Sequence, residues 1–145
     1  MTGTSSLPSS NANSANSERT LVLYGPENTT SAILKFLMDV DTKLDICADS
    51  TWPSVAMAID VFRNALIDIK KRRIIRRDIT TITKNNLPYC KEVMKIGELR
   101  HLDGIRGNFA VSEREYLASA TLQEAKLLQN ERTAHGVCLL LFERY

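Results

Sequence analysis

Leu44-Asp45-Ile46-Cys47-Ala48-Asp49-Ser50-Thr51-Trp52-Pro53 is the stretch that decides the fold. Its first five residues suit a short buried strand, Asp49-Ser50-Thr51 ends that strand, and Pro53 stands where a first helical turn tolerates proline. Val55, Ala58, Ile59, Phe62, Leu66 and Ile69 continue as an apolar stripe, so the spacing predicts one long helix.

The same unit recurs on both sides. Upstream, Leu21-Val22-Leu23-Tyr24 reads as a strand closed by Gly25-Pro26, and Asn28–Asp39 as a helix with Ile33, Leu34, Leu37 and Met38 on one face. Downstream, Ile74–Thr83 is rich in Ile and Thr and reads as a third strand. Asn85-Asn86-Leu87-Pro88 then opens a third helix with face Tyr89, Cys90, Val93, Met94 and Ile96, stopped by Gly97.

From Glu98 the period changes. Glu98–Leu102 and Ile105–Ser112 flank Asp103-Gly104, a pair that favours a type I′ hairpin turn, and a second turn near Glu113-Arg114 leads to Glu115–Ala120. Thr121-Leu122-Gln123-Glu124 has capping-box spacing, so a last helix is expected from Leu122. This order predicts an α/β fold: a mostly parallel sheet with an antiparallel meander extension and helices covering the faces.

The chain has 145 residues, 43% of them hydrophobic, enough for one domain with a real core. Residues 1–19 carry Ser and Asn in abundance and only Leu7 as a sizeable aliphatic, which reads as a disordered tail. The domain is expected over 20–125, with 126–145 a divergent tail that reads as a truncation or a shifted frame. No secretory signal pattern or membrane-length apolar stretch is present, so the expected location is cytoplasmic. Cys47, Cys90 and Cys138 are an odd set without CxxC spacing, which argues against a disulfide framework or a common zinc knuckle.

Net charge is only +2, but Lys70, Lys71, Arg72, Arg73, Arg76 and Arg77 crowd into eight residues. The bland reading is a solvated helix end; the alternative is a nucleic-acid or regulatory surface.

Four ordered blocks carry a resemblance: Leu23–Thr30, Asp45–Ser50, Pro88-Tyr89-Cys90, and Glu98–Ile105 with Gly107-Asn108-Phe109 and Val111-Ser112-Glu113. Over about Leu21–Ala125 the chain resembles the N-terminal sensory segment of histidine kinases and related signalling proteins from ammonia-oxidising archaea. That resemblance implies a sensory input segment, a fold like half of a phospholipase-D-type domain, and a PAS or kinase domain as partner. The chain departs from the family in three ways. No room follows Ala125 for a kinase core, Lys126–Tyr145 does not look like the family continuation, and Arg73 and Arg76 stand where a turn residue and an apolar strand residue are expected.

Phospholipase-D chemistry needs a His nucleophile and a Lys in an H-x-K arrangement. The nearest segment here is Arg106-Gly107-Asn108, and Arg cannot attack phosphorus, so the expectation is no enzyme and no catalytic residue. No P-loop, dinucleotide fingerprint or nucleophile elbow is present, and no cofactor or metal is expected. A Cys47/Cys90/His101 metal site has no support from spacing, and Trp52 and Tyr89 read as core or rim aromatics.

Ligands of open parallel sheets bind beyond the carboxyl ends of strands. There the chain places Tyr24, Glu27 and Asn28, then Asp49, Ser50 and Thr51, then Thr83, Lys84 and Asn85. With Arg100 and His101 from the hairpin, these predict a site for a small polar or anionic ligand; ordinary helix capping is the competing reading. A docking or homodimerisation role through the meander edge is a further alternative, and no membrane partner is expected.

Overall fold

The computed structural model describes residues 19–119 and 139–143. Its elements run β1 (Thr20–Leu23), α1 (Pro26–Asp39), β2 (Lys43–Ala48), α2 (Trp52–Ala58), α3 (Asp60–Lys71), β3 (Ile75–Thr80), α4 (Leu87–Ile96), β4 (Glu98–His101), β5 (Asn108–Ser112), β6 (Glu115–Ser119) and β7 (Leu139–Glu143). They form an α/β fold around one seven-stranded sheet in the order β1-β7-β6-β5-β2-β3-β4.

Strands β2, β3 and β4 are mutually parallel, whereas β5, β6, β7 and β1 join antiparallel. Two of the six strand pairings are parallel and four antiparallel, so the antiparallel extension is the larger part. Along β2 and β3 side chains alternate between buried and more exposed, the mark of a sheet with one covered face. That face carries Leu44, Ile46, Ala48, Ala110 and Leu117, which join Phe36, Leu37, Val40, Leu66, Ile69 and Val93 of the helices in one core. Each buried Leu, Ile, Val or Phe among them contributes about 1.5–3 kcal/mol. Among the described residues the helices cover this face, and Ile75, Ile79, Phe109 and Val111 on the other are substantially exposed.

Several expectations change. The single helix after β2 is two: Ile59 takes an extended conformation (φ −94°, ψ 114°) and the chain bends there. The bend lets α2 lie against α4 while α3 lies against α1. It also turns Ala58 and Ile59 outward and buries Ala56 and Met57 instead. On α4 the buried positions are Cys90 and Val93, while Tyr89 and Met94 face solvent. α1 begins at Pro26, earlier than Asn28, because Gly25 at φ 91° supplies the turn.

Asp103-Gly104 does not close a hairpin. Gly104 has φ 75° but Asp103 is not left-handed, and β4 pairs with β3 whereas β5 pairs with β2 on the far side. The intervening segment crosses the strand ends, held where Thr81 Oγ1 donates to Leu102 O (2.8 Å) and accepts from Ile105 N (3.3 Å). The expected turn at Glu113-Arg114 does join β5 to β6. β7 extends the same sheet beyond the domain boundary expected at 125, pairing with β6 and β1. The meander edge is therefore occupied, and β1 and β4 are the edges of the sheet. The helix expected from Leu122 and the tail 1–18 lie outside the described residues.

Arg73 and Arg76 find their reasons here. Arg73 (φ 59°) is the left-handed residue after α3, with Arg73 N–H donating to Lys70 O and Ile74 N–H to Ile69 O, the paired bonds of a Schellman stop. Arg76 lies on the covered face of β3, paired with Asp78.

Candidate functional site

β2 delivers Asp49 to the start of α2, and the buried Asp49 carboxylate becomes a hub. Its Oδ1 accepts from Thr51 N (2.8 Å) and Thr51 Oγ1 (2.5 Å), and its Oδ2 accepts from Asn108 Nδ2 (3.2 Å). In return Asp49 N donates to Asn108 Oδ1 (2.9 Å), which ties the end of β2 to the start of β5. Thr80 Oγ1 donates to Asp49 O (2.8 Å), adding β3.

Beside this hub is a cavity of about 310 Å³. Its floor is the covered sheet face at Ile46, Ala48, Ala110 and Leu117; α1 supplies Thr29, Thr30, Ile33 and Phe36, and the α2–α3 bend supplies Trp52, Val55, Ile59 and Phe62. Trp52 packs against Phe62 with ring centroids 6.1 Å apart. The floor is deep because Ala48 and Ala110 stand at inward positions, where Leu44 at the other end of β2 fills the space. Pro26, Ile59 and Phe109 are exposed at its rim.

Of the eleven strand-end and hairpin residues expected to bind ligand, Thr51 alone lines this cavity. Tyr24, Glu27 and Lys84 are exposed. Asn28 Nδ2 donates to Tyr24 O (3.0 Å). Asp49 is consumed in the hub, and Ser50 O accepts from Asn86 Nδ2 (2.8 Å). Thr83 exchanges bonds with Asn86, whose Oδ1 accepts from Thr83 N (2.8 Å). Arg100 pairs with Glu98 (2.7 Å). His101 Nδ1 accepts from Ile82 N (3.0 Å), and its Nε2 lies 2.9 Å from Asp103 Oδ1. These polar groups thus serve mainly as local ties: the Asn28, Thr83 and His101 side chains bond nearby backbone groups, and Arg100 pairs with a neighbouring carboxylate.

The cavity residues looked like ordinary core in the sequence. Alanines at 48 and 110 were the one available signal, and it becomes meaningful only once β2 and β5 are known to be neighbours.

The basic cluster is dispersed. Arg72 reaches across to α1, donating to Leu37 O (2.9 Å) and Val40 O (2.7 Å), where α1 has no basic residue of its own in its last turn. Arg76 is buried, Arg77 pairs with Asp45 (2.7 Å), and Lys70 Nζ donates to Lys95 O (2.5 Å). Its bond to Arg77 holds the Asp45 carboxyl below its ordinary range. Burial pushes the Cys47 and Cys90 thiols up. No group of three or more His, Cys, Asp or Glu side chains among the described residues could hold a metal ion, and no helix among them is long and apolar enough to cross a membrane.

No protein-family model matches the sequence, and no curated protein matches it. Solved structures do. Nuc, a phospholipase D family member from Salmonella typhimurium, is 13% identical with a TM-score of 0.64, over 88% of this chain and 84% of that one. TrmBL2, an archaeal chromatin protein with a novel mode of DNA binding, is 18% identical with a TM-score of 0.59, over 88% of this chain. The chain spans only 46% of the length of TrmBL2. At these identities the likeness concerns the fold, and the fold is phospholipase-D-like α/β.

Proposed function

We propose that this chain is a non-catalytic, ligand-binding sensory module of a signal-transduction protein related to the archaeal histidine kinases it resembles. The observation that carries the reading is the cavity at the carboxyl end of β2, where three helical segments converge over a floor left open by two alanines. A pocket of this size is at the lower end of those that hold small molecules. The non-catalytic part rests on chemistry: the segment nearest to an H-x-K motif is Arg106-Gly107-Asn108, which lacks both His and Lys, and Asn108 is engaged with Asp49. An output through a PAS or kinase partner domain belongs to the same proposal.

A thermal-shift screen of anions, nucleotides, sugars and neutral apolar compounds tests it. A ligand held at a hundred times its Kd stabilises by about 2.7 kcal/mol, a rise of roughly 10 °C for a domain of this size. If no compound class shifts the melting temperature, the module does not sense a small molecule. The nucleic-acid alternative is weaker, because only Lys71 and Arg73 of the six clustered cations make no side-chain bond among the described residues.

A further inference from the structure

We infer that the cavity takes a neutral, mainly apolar small molecule with one or two hydrogen-bond acceptors, and that Ala48 and Ala110 set its depth. This deepens the ligand-binding reading and rests on it.

Charge argues first. Among the described residues no Asp, Glu, Lys, Arg or His lines the cavity, so an ionic ligand would lose its hydration without meeting a counter-ion there. The anionic ligand suggested by the polar strand ends therefore does not fit this volume.

Hydrogen bonding argues next. Thr51 gives its hydroxyl proton to Asp49, and Asn108 spends its carbonyl oxygen and one N–H there too. The Trp52 indole N–H is buried with no partner among the described residues. Among the described residues what remains is the second N–H of Asn108 and the hydroxyls of Thr30 and Ser119, too few to replace the water around a polyol. A ketone, ester or lactone needs no more than that.

Size follows from volume. An apolar cavity of about 150 Å³ holds one benzene. Twice that space suits a compact bicyclic or short-chain molecule, and enlarging either alanine would remove part of it.

Trp52 is the chain's one tryptophan, so its emission reports on the cavity without a label. The experiment titrates the full chain with camphor, a neutral bicyclic ketone, with camphorsulfonate, which adds an anion to the same skeleton, and with glucose. The expected result is a saturable change in Trp52 emission with camphor, at least about tenfold tighter than with camphorsulfonate or glucose, because the charge or hydroxyls must be desolvated. Ala110→Leu should weaken camphor at least about tenfold by filling the floor. Ala48→Val, a smaller change, should weaken it less, and both variants are first shown to melt cooperatively.

Tighter binding of camphorsulfonate or glucose, lost in Ala110→Leu, overturns the apolar class and leaves the ligand-binding reading standing. Camphor binding that neither variant alters overturns the assignment to this cavity. No saturable response to any of the three probes overturns the inference, and if the thermal-shift screen is also blank the sensory reading falls with it.

Discussion

Arg76 and Asp78 face each other two residues apart on the covered side of β3, joined by Nε–Oδ1 at 3.1 Å and Nη2–Oδ2 at 3.0 Å, with both side chains at most 2% exposed. Burial lifts the Asp78 carboxyl above its ordinary range while the Arg76 guanidinium draws it back. Such a pair gains little over an apolar pair of equal volume but is costly to break on one side. Asp78→Ala should therefore destabilise by about 3–5 kcal/mol in urea unfolding. The double variant Arg76→Leu/Asp78→Leu should regain most of that loss. A double variant as unstable as the single one would mean that the pair itself, not the stranded charge, holds β3.

This pair also shows where sequence reading stops. Arg76 interrupts an apolar strand pattern, and nothing local says that Asp78 neutralises it or that Gly97 makes room. A Cβ at Gly97 would come within 2.9 Å of Arg76 Nε, so the missing side chain there serves packing and not a left-handed turn. The strands and helices up to Ile96, apart from the break at Ile59, were legible because their apolar spacing is local. The placement of β4 beside β3 and of β5 beside β2 was not, since Asp103-Gly104 has the composition of a hairpin turn while β3 and β2 lie far from these strands in sequence. The candidate site was hidden for the same reason: polar residues at strand ends advertise themselves, whereas a cavity arises from what Ala48 and Ala110 lack.

Glu113 makes a pH-dependent clamp. Burial opposes its ionisation, but the N–H groups of Asp41 (2.6 Å), Thr42 and Lys43 outweigh that and hold the carboxyl below its ordinary 4.5. A lowered folded value means that the native state releases this proton more readily than the unfolded chain. The stabilisation is then complete above 4.5 and is lost as pH falls through the lowered value. Glu113→Ala should cost about 1 kcal/mol at neutral pH, the modest figure reflecting solvent around the clamp. Melting curves of the two proteins should converge in acid. A gap that persists there would assign the effect to packing.

The two described thiols are poor nucleophiles. Cys90 is fully buried and Cys47 half-buried, and burial raises both above the ordinary 9.0. Alkylation needs the thiolate, so a Cys138→Ser variant should react with iodoacetamide at neutral pH at least about tenfold more slowly than a free cysteine. The Cys47 rate should keep rising as pH passes 9.0. Fast labelling at neutral pH would reopen redox sensing at Cys47.

Asp49 and Asn108 exchange two hydrogen bonds between the end of β2 and the start of β5, and Asp49 also caps Thr51. Removing either partner strands the other in a part-buried setting, so Asp49→Ala and Asn108→Ala should each destabilise by about 2–3 kcal/mol. Because they share one network, the double variant should fall short of the sum by about 1 kcal/mol or more. The consequence for binding is specific. If Asp49 held the ligand through its charge, Asp49→Asn would abolish binding while sparing the fold. If Asp49 only ties β2 to β5 beside the cavity, Asp49→Asn should lower stability and leave the affinity for a neutral ligand within about threefold, since the charge is spent on Thr51 and Asn108. Urea unfolding and Trp52 fluorescence titration of the same variant separate the two roles.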